Sequence, residues 1–227
     1  MLPLLRSLAT PLLFAAVTVA SPTLHGKDST THQQDGYTLI FENDDPNLDP
    51  RLKARLIETF FKVYPAEARE FNPGSAHTVT FSMDSSYQGI AATMGNSIHF
   101  NPTYFHQHPA DIDVVTHEAM HVVQSYATYD PGWVVEGIAD YARYKYGVDN
   151  PGGGWSLPDY QPGQNYKNAY RITARFLVWL EKNGHEGLVK KLDGAMRTNT
   201  YKPGFWKENT GKTVDELWQD YGKNPAL

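Results

Sequence analysis

The pattern of hydrophobic and polar residues along this chain has two different periods. Short runs rich in β-branched and aromatic residues lie between turn residues at 37–41, 78–82, 90–93 and 96–100, which is typical of β-strands. All four runs occur in the first half of the chain. A small N-terminal sheet is therefore predicted.

Helical spacing of apolar residues predicts that most of the remaining chain is helical. One helix is expected to begin at Asp49 and Pro50, with proline at its first position, and to end near Tyr64. Further helices are predicted, in chain order, over residues 111–124, 131–144, 168–182, 187–196 and 214–221. The predicted fold class is α+β, with a small mixed sheet packed on the 111–124 helix and a mostly helical C-terminal part.

Two loops interrupt these elements. Residues 104–109 are predicted to be irregular. Residues 147–164 are dense in glycine, proline and aromatic residues, and a loop of this length is typical of a cleft wall or lid. A simple surface excursion is the alternative, and the pattern leaves both open.

The N-terminus resembles a secretory signal peptide over residues 1–20. Arg6 supplies a positive charge, residues 8–20 are mostly apolar, and Ala20 offers a small residue for cleavage. The polar residues 21–35 are expected to form a flexible leader, followed by a single domain over 36–222. We therefore expect a secreted, extracellular protein that has no membrane association after cleavage.

Charge and cysteine content exclude several classes of function. The formal net charge is −5 and there is no basic cluster, whereas binding to nucleic acid depends on neutralising phosphates with Lys and Arg. The chain has no cysteine, which excludes a thiol nucleophile and Cys-bound zinc. A monomer without a nucleic-acid partner is expected.

Residues 117–121 read His-Glu-Ala-Met-His within a predicted helix. Histidines four positions apart project from one helix face, so both imidazoles can bind a single ion, with Glu118 beside them. Zinc in a hydrolase takes three protein ligands and leaves one position for water. The pattern therefore predicts a zinc (Zn²⁺) site in which His117 and His121 are two of the ligands.

The third ligand must come from another part of the chain. The three-histidine pattern of metzincins requires a histidine six residues after His121, where this chain has Ala127. Glu136 and Asp140 lie four positions apart in an otherwise apolar helix, where carboxylates need partners. We expect Glu136 to bind the metal and Asp140 to hydrogen-bond the far nitrogen of a ligand histidine. The reverse assignment is the alternative.

These motifs and their surroundings resemble a known family. The runs that carry the resemblance are Thr-His-Glu-Ala-Met-His-Val-Val-Gln at 116–124, Val-Glu-Gly-Ile-Ala-Asp-Tyr at 135–141, Tyr-Arg-Ile-Thr-Ala-Arg-Phe-Leu at 170–177 and Gly-Lys-Thr-Val-Asp-Glu-Leu-Trp at 211–218. The chain resembles the basic secretory protein family, secreted zinc peptidases of plants, fungi and bacteria, over about residues 37–221. The metal motifs are similar to those of gluzincins, the thermolysin-like and aminopeptidase-like peptidases.

The resemblance implies a zincin-like fold and a peptide or protein substrate. This chain departs from the family in two respects. Its net charge is acidic rather than basic. The interval between His121 and Glu136 is also shorter than in thermolysin-like enzymes, which keeps Asp140 as an alternative third ligand.

The reaction expected of such a site is zinc-dependent hydrolysis of a peptide bond. Glu118 is predicted to be the general base that takes a proton from the metal-activated water and returns it to the leaving amine. The developing oxyanion needs a further hydrogen-bond donor. The resemblance favours Tyr170, with Tyr166, His99 and Arg171 as alternatives.

Two further alternatives remain open from the sequence. Strand 96–100 is either an edge strand that borders the cleft and pairs with an extended peptide, or an ordinary hairpin arm. The aromatic residues within 155–170 suggest a second function, a non-catalytic secreted zincin-like module that binds cell-wall glycan or a host protein. Glu118 argues against that module, because a binding scaffold needs no base beside a metal.

Overall fold

A mixed five-stranded sheet forms the N-terminal part of the computed structural model, which describes residues 28–227. The strands are β1 (Asp28–Gln34), β2 (Tyr37–Asn43), β3 (Thr78–Met83), β4 (Ala91–Met94) and β5 (Ser97–Phe100). Their order is β1-β2-β3-β5-β4, in which β2, β3 and β5 are parallel and the two outer strands are antiparallel to their neighbours. The predicted sheet is thereby confirmed. The predicted signal peptide, residues 1–20, lies outside the described residues.

Strand β1 corrects the prediction of a flexible leader over 21–35 for residues 28–34, whereas residues 21–27 lie outside the described residues. Residues 28–34 pair with β2 along their whole length. The connecting residues Asp35 and Gly36 have φ angles of 51° and 83°, and positive φ at both positions is what a type I′ hairpin turn requires. The strand is mostly exposed, so backbone pairing forms it without an apolar face that the sequence pattern could reveal.

The free edge beside β5 belongs to β4. Of the two alternatives for residues 96–100, the hairpin arm is the one observed, because β5 lies between β3 and β4 and pairs with both. Ile98 and Phe100 of β5 are completely buried. Any strand addition on this side of the sheet would therefore involve β4, Ala91–Met94.

Helices make up most of the remaining described residues. They are α1 (Pro50–Phe71), α2 (Pro102–Gln107), α3 (Val114–Gln124), α4 (Gly132–Tyr146), α5 (Tyr170–Lys182), α6 (Leu188–Arg197), α7 (Phe205–Thr210) and α8 (Val214–Lys223), with a 3-10 turn at Tyr166–Asn168. The predicted α+β fold and its mostly helical C-terminal part are confirmed. Within residues 28–227, no helix combines the length and the hydropathy needed to cross a membrane.

Helix α1 extends further than predicted. It begins as expected, with the Asp49 side chain accepting a hydrogen bond from a backbone N–H of the first turn. It then continues through Pro65 to Phe71. Ala68 and Phe71 are buried, and this continued apolar contact offsets the roughly 3 kcal/mol that an interior proline costs.

The predicted loop at 104–109 is partly helical, because α2 covers Pro102–Gln107. The Asn101 side chain caps its first turn by accepting a hydrogen bond from Thr103 N at 2.9 Å. This single helical turn directs Phe105 into the core, where it is almost fully buried.

Aromatic side chains fill the space between the sheet and α1. Phe60 of α1 packs edge-to-face on Phe81 of β3, with ring centroids 5.4 Å apart, and Phe81 packs in the same way on Phe100 of β5 at 5.0 Å. Phe100 contacts Phe105 of α2. Such pairs contribute about 0.5–1.5 kcal/mol each beyond their buried area. Helix α3 packs against α1 and β4 beside this core.

Helices α4 and α5 pack closely at Gly137. A Cβ atom at this position would lie 2.3 Å from Cγ2 of Thr173, well inside van der Waals contact. Glycine therefore allows α5 to approach α4. The approach brings Tyr170, at the start of α5, close to the histidines of α3.

Candidate active site

The two histidines of the His-Glu-Ala-Met-His motif lie on one face of helix α3, with their side chains close together. The Nε2 atoms of His117 and His121 lie 3.2 Å apart, and the imidazole planes are inclined by 85°. Both side chains are largely buried, with 11% and 15% of their surface exposed. The four-residue helical spacing thus places two nitrogen ligands together.

The Glu136 carboxylate of α4 faces these two nitrogens. Its Oε2 atom lies 3.1 Å from Nε2 of His117 and 3.6 Å from Nε2 of His121. Burial alone would raise the pKa of Glu136, but the two imidazoles hold this pKa well below its usual value. The carboxylate is therefore ionised where the nitrogens converge.

Asp140 contacts the other nitrogen of His117, one helical turn beyond Glu136. Its Oδ1 atom lies 2.7 Å from Nδ1 of His117. Burial alone would lower the pKa of His117, but Asp140, Glu136 and Glu118 together raise it well above its usual value. With Nδ1–H donating to Asp140, Nε2 is the nitrogen that remains for a ligand.

Gln124 orients the second histidine. Its Oε1 atom lies 2.6 Å from Nδ1 of His121, and its amide group donates to the carbonyl oxygen of Val135 at 2.9 Å. Gln124 is almost completely buried. This bridge joins the end of α3 to α4, so the contact that fixes His121 also fixes the separation of the two helices.

The cluster of His117, His121 and Glu136 fits a divalent metal ion. One ligand atom of each residue lies within 4.8 Å of the others. Glu136 Oε2 is buried, and among the described residues it meets no donor with hydrogen-bond geometry, which is costly unless a cation compensates its charge. Two imidazoles and one carboxylate are a ligand set of catalytic zinc sites.

Glu118 lies beside the cluster and contacts the edge strand β4. The Thr93 hydroxyl is 2.7 Å from Glu118 Oε2 and 3.0 Å from the Glu118 carbonyl oxygen. Glu118 is 6% exposed and borders the cleft described below. Thr93 therefore orients one carboxylate oxygen, while no described residue hydrogen-bonds Oε1.

Two exposed tyrosines flank the cluster. The Tyr170 ring lies parallel to the His117 imidazole to within 17°, with centroids 6.1 Å apart. Tyr129, in the connection between α3 and α4, donates its hydroxyl to Glu136 Oε1. Partial burial and the Glu136 carboxylate raise the pKa of both tyrosines, so both phenols keep their protons at neutral pH.

The backbone before α5 is strained. Ala169 and Tyr170 have φ angles of 64° and 49°, a region that non-glycine residues occupy at a cost of order 1–3 kcal/mol each. Thr173 donates its hydroxyl to the Tyr166 carbonyl oxygen across this bend. The bend sets the position from which Tyr170 extends over His117.

The alternative donors occupy different surroundings. Tyr166 is buried and donates its hydroxyl to Asp215 at 2.8 Å. His99 lies 3.4 Å from Asp84 and does not border the cleft. Arg171 is exposed and borders the cleft together with Tyr170. Of the four candidates, Tyr170 and Arg171 can therefore reach a bound substrate.

The three candidate metal ligands, His117, His121 and Glu136, lie in a cleft of about 1110 Å³. Its borders include β4, the α3–α4 connection and residues 153–155 of the long irregular segment. The segment 147–164 is free of helix and strand, as predicted. Its residues 153–155 form part of the cleft wall, so this part of the segment is not a simple surface excursion.

Asp113 fixes this wall to the beginning of α3. Its carboxylate is fully buried and accepts hydrogen bonds from the backbone N–H groups of Val148 at 2.7 Å and Asp149 at 2.6 Å. The same carboxylate accepts the Thr116 hydroxyl at 2.9 Å. The wall is thereby tied to the residue that precedes His117.

Arg143 of α4 packs against the residues that form this wall. Its guanidinium group pairs with Asp111, donates to Asn150 and lies 4.8 Å from the centre of the Trp155 ring. Trp155 is half-buried by this contact, and Tyr166 is buried. Trp155 and Tyr166 therefore pack inward, whereas Tyr170 remains exposed in the cleft. Fewer of the aromatic residues within 155–170 are thus available for glycan stacking, which weakens the alternative of a carbohydrate-binding module.

Three residues at the site were not among the sequence candidates. Gln124 could have been found, because it lies one helical turn after His121. Thr93 and Tyr129 come from a strand and an irregular connection in which no periodicity marks them. Their roles depend on tertiary contacts with Glu118 and Glu136.

Comparison with known proteins agrees with this geometry. A family model described as "Peptidase of plants and bacteria" matches residues 23–221, which confirms the family resemblance of the motifs. A search of curated protein sequences gave no significant match.

Several solved structures that are similar to this chain are described as M1 zinc metallopeptidases. An M1 zinc metallopeptidase from Deinococcus radiodurans matches with a TM-score of 0.52 and 13% identity, over 89% of this chain and 52% of that one. A mutant of that enzyme bound to a Tyr-Ser-Ala substrate gives the same values. An aminopeptidase N family protein from Idiomarina loihiensis matches with a TM-score of 0.52 and 10% identity, over 86% of this chain and 46% of that one.

This chain thus spans about half the length of those structures. At these identities the matches show the fold, and they confirm the predicted zincin-like architecture.

Proposed function

This chain belongs to the family of peptidases of plants and bacteria, and we propose that it hydrolyses peptide bonds with a zinc ion held by His117, His121 and Glu136. The convergence of two Nε2 atoms and the buried Glu136 Oε2 atom is the observation that carries the proposal. Asp140 and Gln124 orient the histidines through their Nδ1 atoms. This division of roles supports Glu136 rather than Asp140 as the third ligand.

Glu118 is the general base of the proposed reaction. A bound zinc ion supplies Lewis acidity, which makes a water molecule acidic enough to react near neutral pH. Glu118 accepts a proton from the attacking water at Oε1, while Thr93 holds Oε2. It then delivers that proton to the nitrogen of the leaving amine.

Tyr170 is the proposed donor to the oxyanion. It is exposed, borders the cleft and lies over the imidazole of His117. Its raised pKa keeps the phenol protonated, so it can donate a hydrogen bond to the substrate oxygen as negative charge develops there. Tyr129, whose hydroxyl is committed to Glu136, acts on the ligand rather than on the substrate.

Secretion is part of the proposal. The positive residue, apolar stretch and small residue at the cleavage point within residues 1–20 support it. The absence of cysteine means that the mature domain relies on its core and its metal, not on disulfides, for stability outside the cell.

The proposal is tested by loading the mature protein with zinc and measuring both metal content and cleavage of a peptide library. We expect one zinc per chain and detectable cleavage. Glu118→Gln should keep the zinc and lose cleavage by at least about a hundredfold, whereas His121→Ala should lose both. Glu58→Gln, an exposed glutamate outside the cleft, serves as the matched control. Unchanged cleavage by Glu118→Gln would disprove the assigned base.

A further inference from the structure

The cleft contains four carboxylates, and each already has a partner. Asp111 pairs with Arg143 and accepts the Tyr104 hydroxyl, and Asp140 contacts His117. Glu118 is held by Thr93, and Glu136 faces both histidines and Tyr129. All four are at most 7% exposed. Among the described residues that border the cleft, no carboxylate remains for a positively charged group of a substrate.

The pairing of these four carboxylates affects which bond of a peptide the enzyme can cut. An enzyme that removes N-terminal residues must hold the substrate's α-ammonium group near the scissile bond. Taking that charge out of water without a counter-charge is unfavourable. If the carboxylates of this cleft keep their present partners, an N-terminal ammonium group gains nothing by binding here.

The two arginines that border the cleft differ in whether they have a partner. Arg143 is buried and satisfied by Asp111 and Asn150. Arg171 is exposed, follows Tyr170 directly and borders the same cleft. Among the described residues it has no hydrogen-bond or ion-pair partner. A guanidinium group in this position can bind a carboxylate with two parallel hydrogen bonds.

We propose that the enzyme cleaves peptides without binding their N-terminal amine, and that Arg171 is a specificity-determining residue that binds a substrate carboxylate. The carboxylate is either an acidic side chain near the scissile bond or the peptide's C-terminus. The inference rests on the proposed peptidase function, and it separates this chain from N-terminal exopeptidases that share its fold.

The test uses zinc-loaded mature protein and matched peptides whose fragments are identified by mass spectrometry. One pair differs in N-terminal acetylation, a second in a C-terminal acid or amide, and a third series carries Glu, Gln or Lys at each position around the cleaved bond. N-acetylation should change kcat/KM by less than about twofold. An appropriately placed carboxylate should raise kcat/KM about threefold, as a partly exposed ion pair does.

Arg171→Gln should abolish the preference for the carboxylate, and Arg171→Glu should reverse it in favour of Lys. Arg51→Gln, an exposed arginine outside the cleft, is the control and should keep the preference. The C-terminal and side-chain series show which carboxylate is bound, and a response in either supports the proposal.

Three results would overturn the inference. Cleavage confined to peptides with a free N-terminus would show that the amine is read, although the peptidase function would stand. A carboxylate preference that survives Arg171→Gln would refute the role of Arg171. Failure to cleave any peptide in the presence of bound zinc would refute the proposed function, and the inference with it.

Discussion

Asp140 and His117 form a contact of 2.7 Å between Oδ1 and Nδ1. The two residues lie on different helices, and the contact fixes both the proton position and the ring orientation of the imidazole. Similar contacts orient the other two candidate ligands, from Gln124 to His121 and from Tyr129 to Glu136.

Asp140→Asn should weaken zinc binding about 10- to 100-fold, the usual effect of losing the partner of a ligand histidine. An asparagine can still accept a hydrogen bond from His117, but it no longer supplies the negative charge that raises the pKa of the imidazole. Competition with a chromogenic chelator measures the affinity. An unchanged dissociation constant would show that Asp140 has no role in metal binding.

Tyr129→Phe should weaken zinc binding about tenfold, because Glu136 loses the donor that holds Oε1. Tyr129 is 59% exposed, so the melting temperature of the metal-free protein should stay the same. Tyr144→Phe, an exposed tyrosine outside the cleft, is the matched control. Equal zinc affinities of the two variants would argue against a role for Tyr129.

Thr93→Val should lower kcat about tenfold and leave zinc affinity unchanged. Valine has nearly the shape of threonine but cannot donate to Glu118 Oε2, so the base loses its orientation. Steady-state kinetics and zinc titration on the same preparation separate the two effects. Thr93→Ser retains the hydroxyl and should restore most of the activity.

Gly137→Ala should destabilise the fold by about 1–3 kcal/mol, the range for an overpacked interior. The added carbon would lie 2.3 Å from Cγ2 of Thr173, and this clash outweighs the roughly 1 kcal/mol that alanine gains over glycine within a helix. Urea denaturation measures the change. Adding Thr173→Ser removes Cγ2 and should recover part of the loss, whereas a stabilised single variant would contradict the close packing of α4 and α5.

Asp193 should make the stability of the fold decrease between about pH 4 and pH 6. Burial raises its pKa to about 6 from 3.8, against the opposing effects of Arg197 and Tyr126. The folded state therefore holds a proton that the unfolded state has lost, so up to about 3 kcal/mol of stability present below pH 4 is lost as pH rises to 6.

Asp193→Asn should abolish that part of the pH dependence. The measurement is urea denaturation of metal-free wild type and variant across this range. Other carboxylates titrate there too, so the difference between the two proteins isolates Asp193. Parallel stability curves would contradict the predicted shift.

Local sequence patterns were sufficient to predict the two helices that carry His117, His121 and Glu136. The helical spacing around His117 and His121, and around Glu136 and Asp140, determines which side chains share a face, and both helices formed as expected. Apolar periodicity also located four of the five strands and helices α5, α6 and α8, because burial depends on the same pattern, but it did not predict the short helix α7.

The remaining features depend on contacts between distant residues. β1 has no apolar face and is held by backbone pairing. The partner of Glu118 is Thr93, 25 positions earlier, and the orientation of Tyr170 depends on a strained bend after Tyr166. No repeat in the sequence marks such residues, since each is defined by what packs against it.

The backbone N–H groups of Val148 and Asp149 donate hydrogen bonds to Asp113, and these bonds restrict the motion of the cleft wall. With one wall of the cleft anchored to α3, little conformational freedom of the protein on that side is lost when a peptide binds. The ordering cost then falls mainly on the flexible peptide. Peptides already constrained to an extended shape, such as N-methylated or cyclised inhibitors, should therefore bind more tightly than linear peptides that make the same contacts.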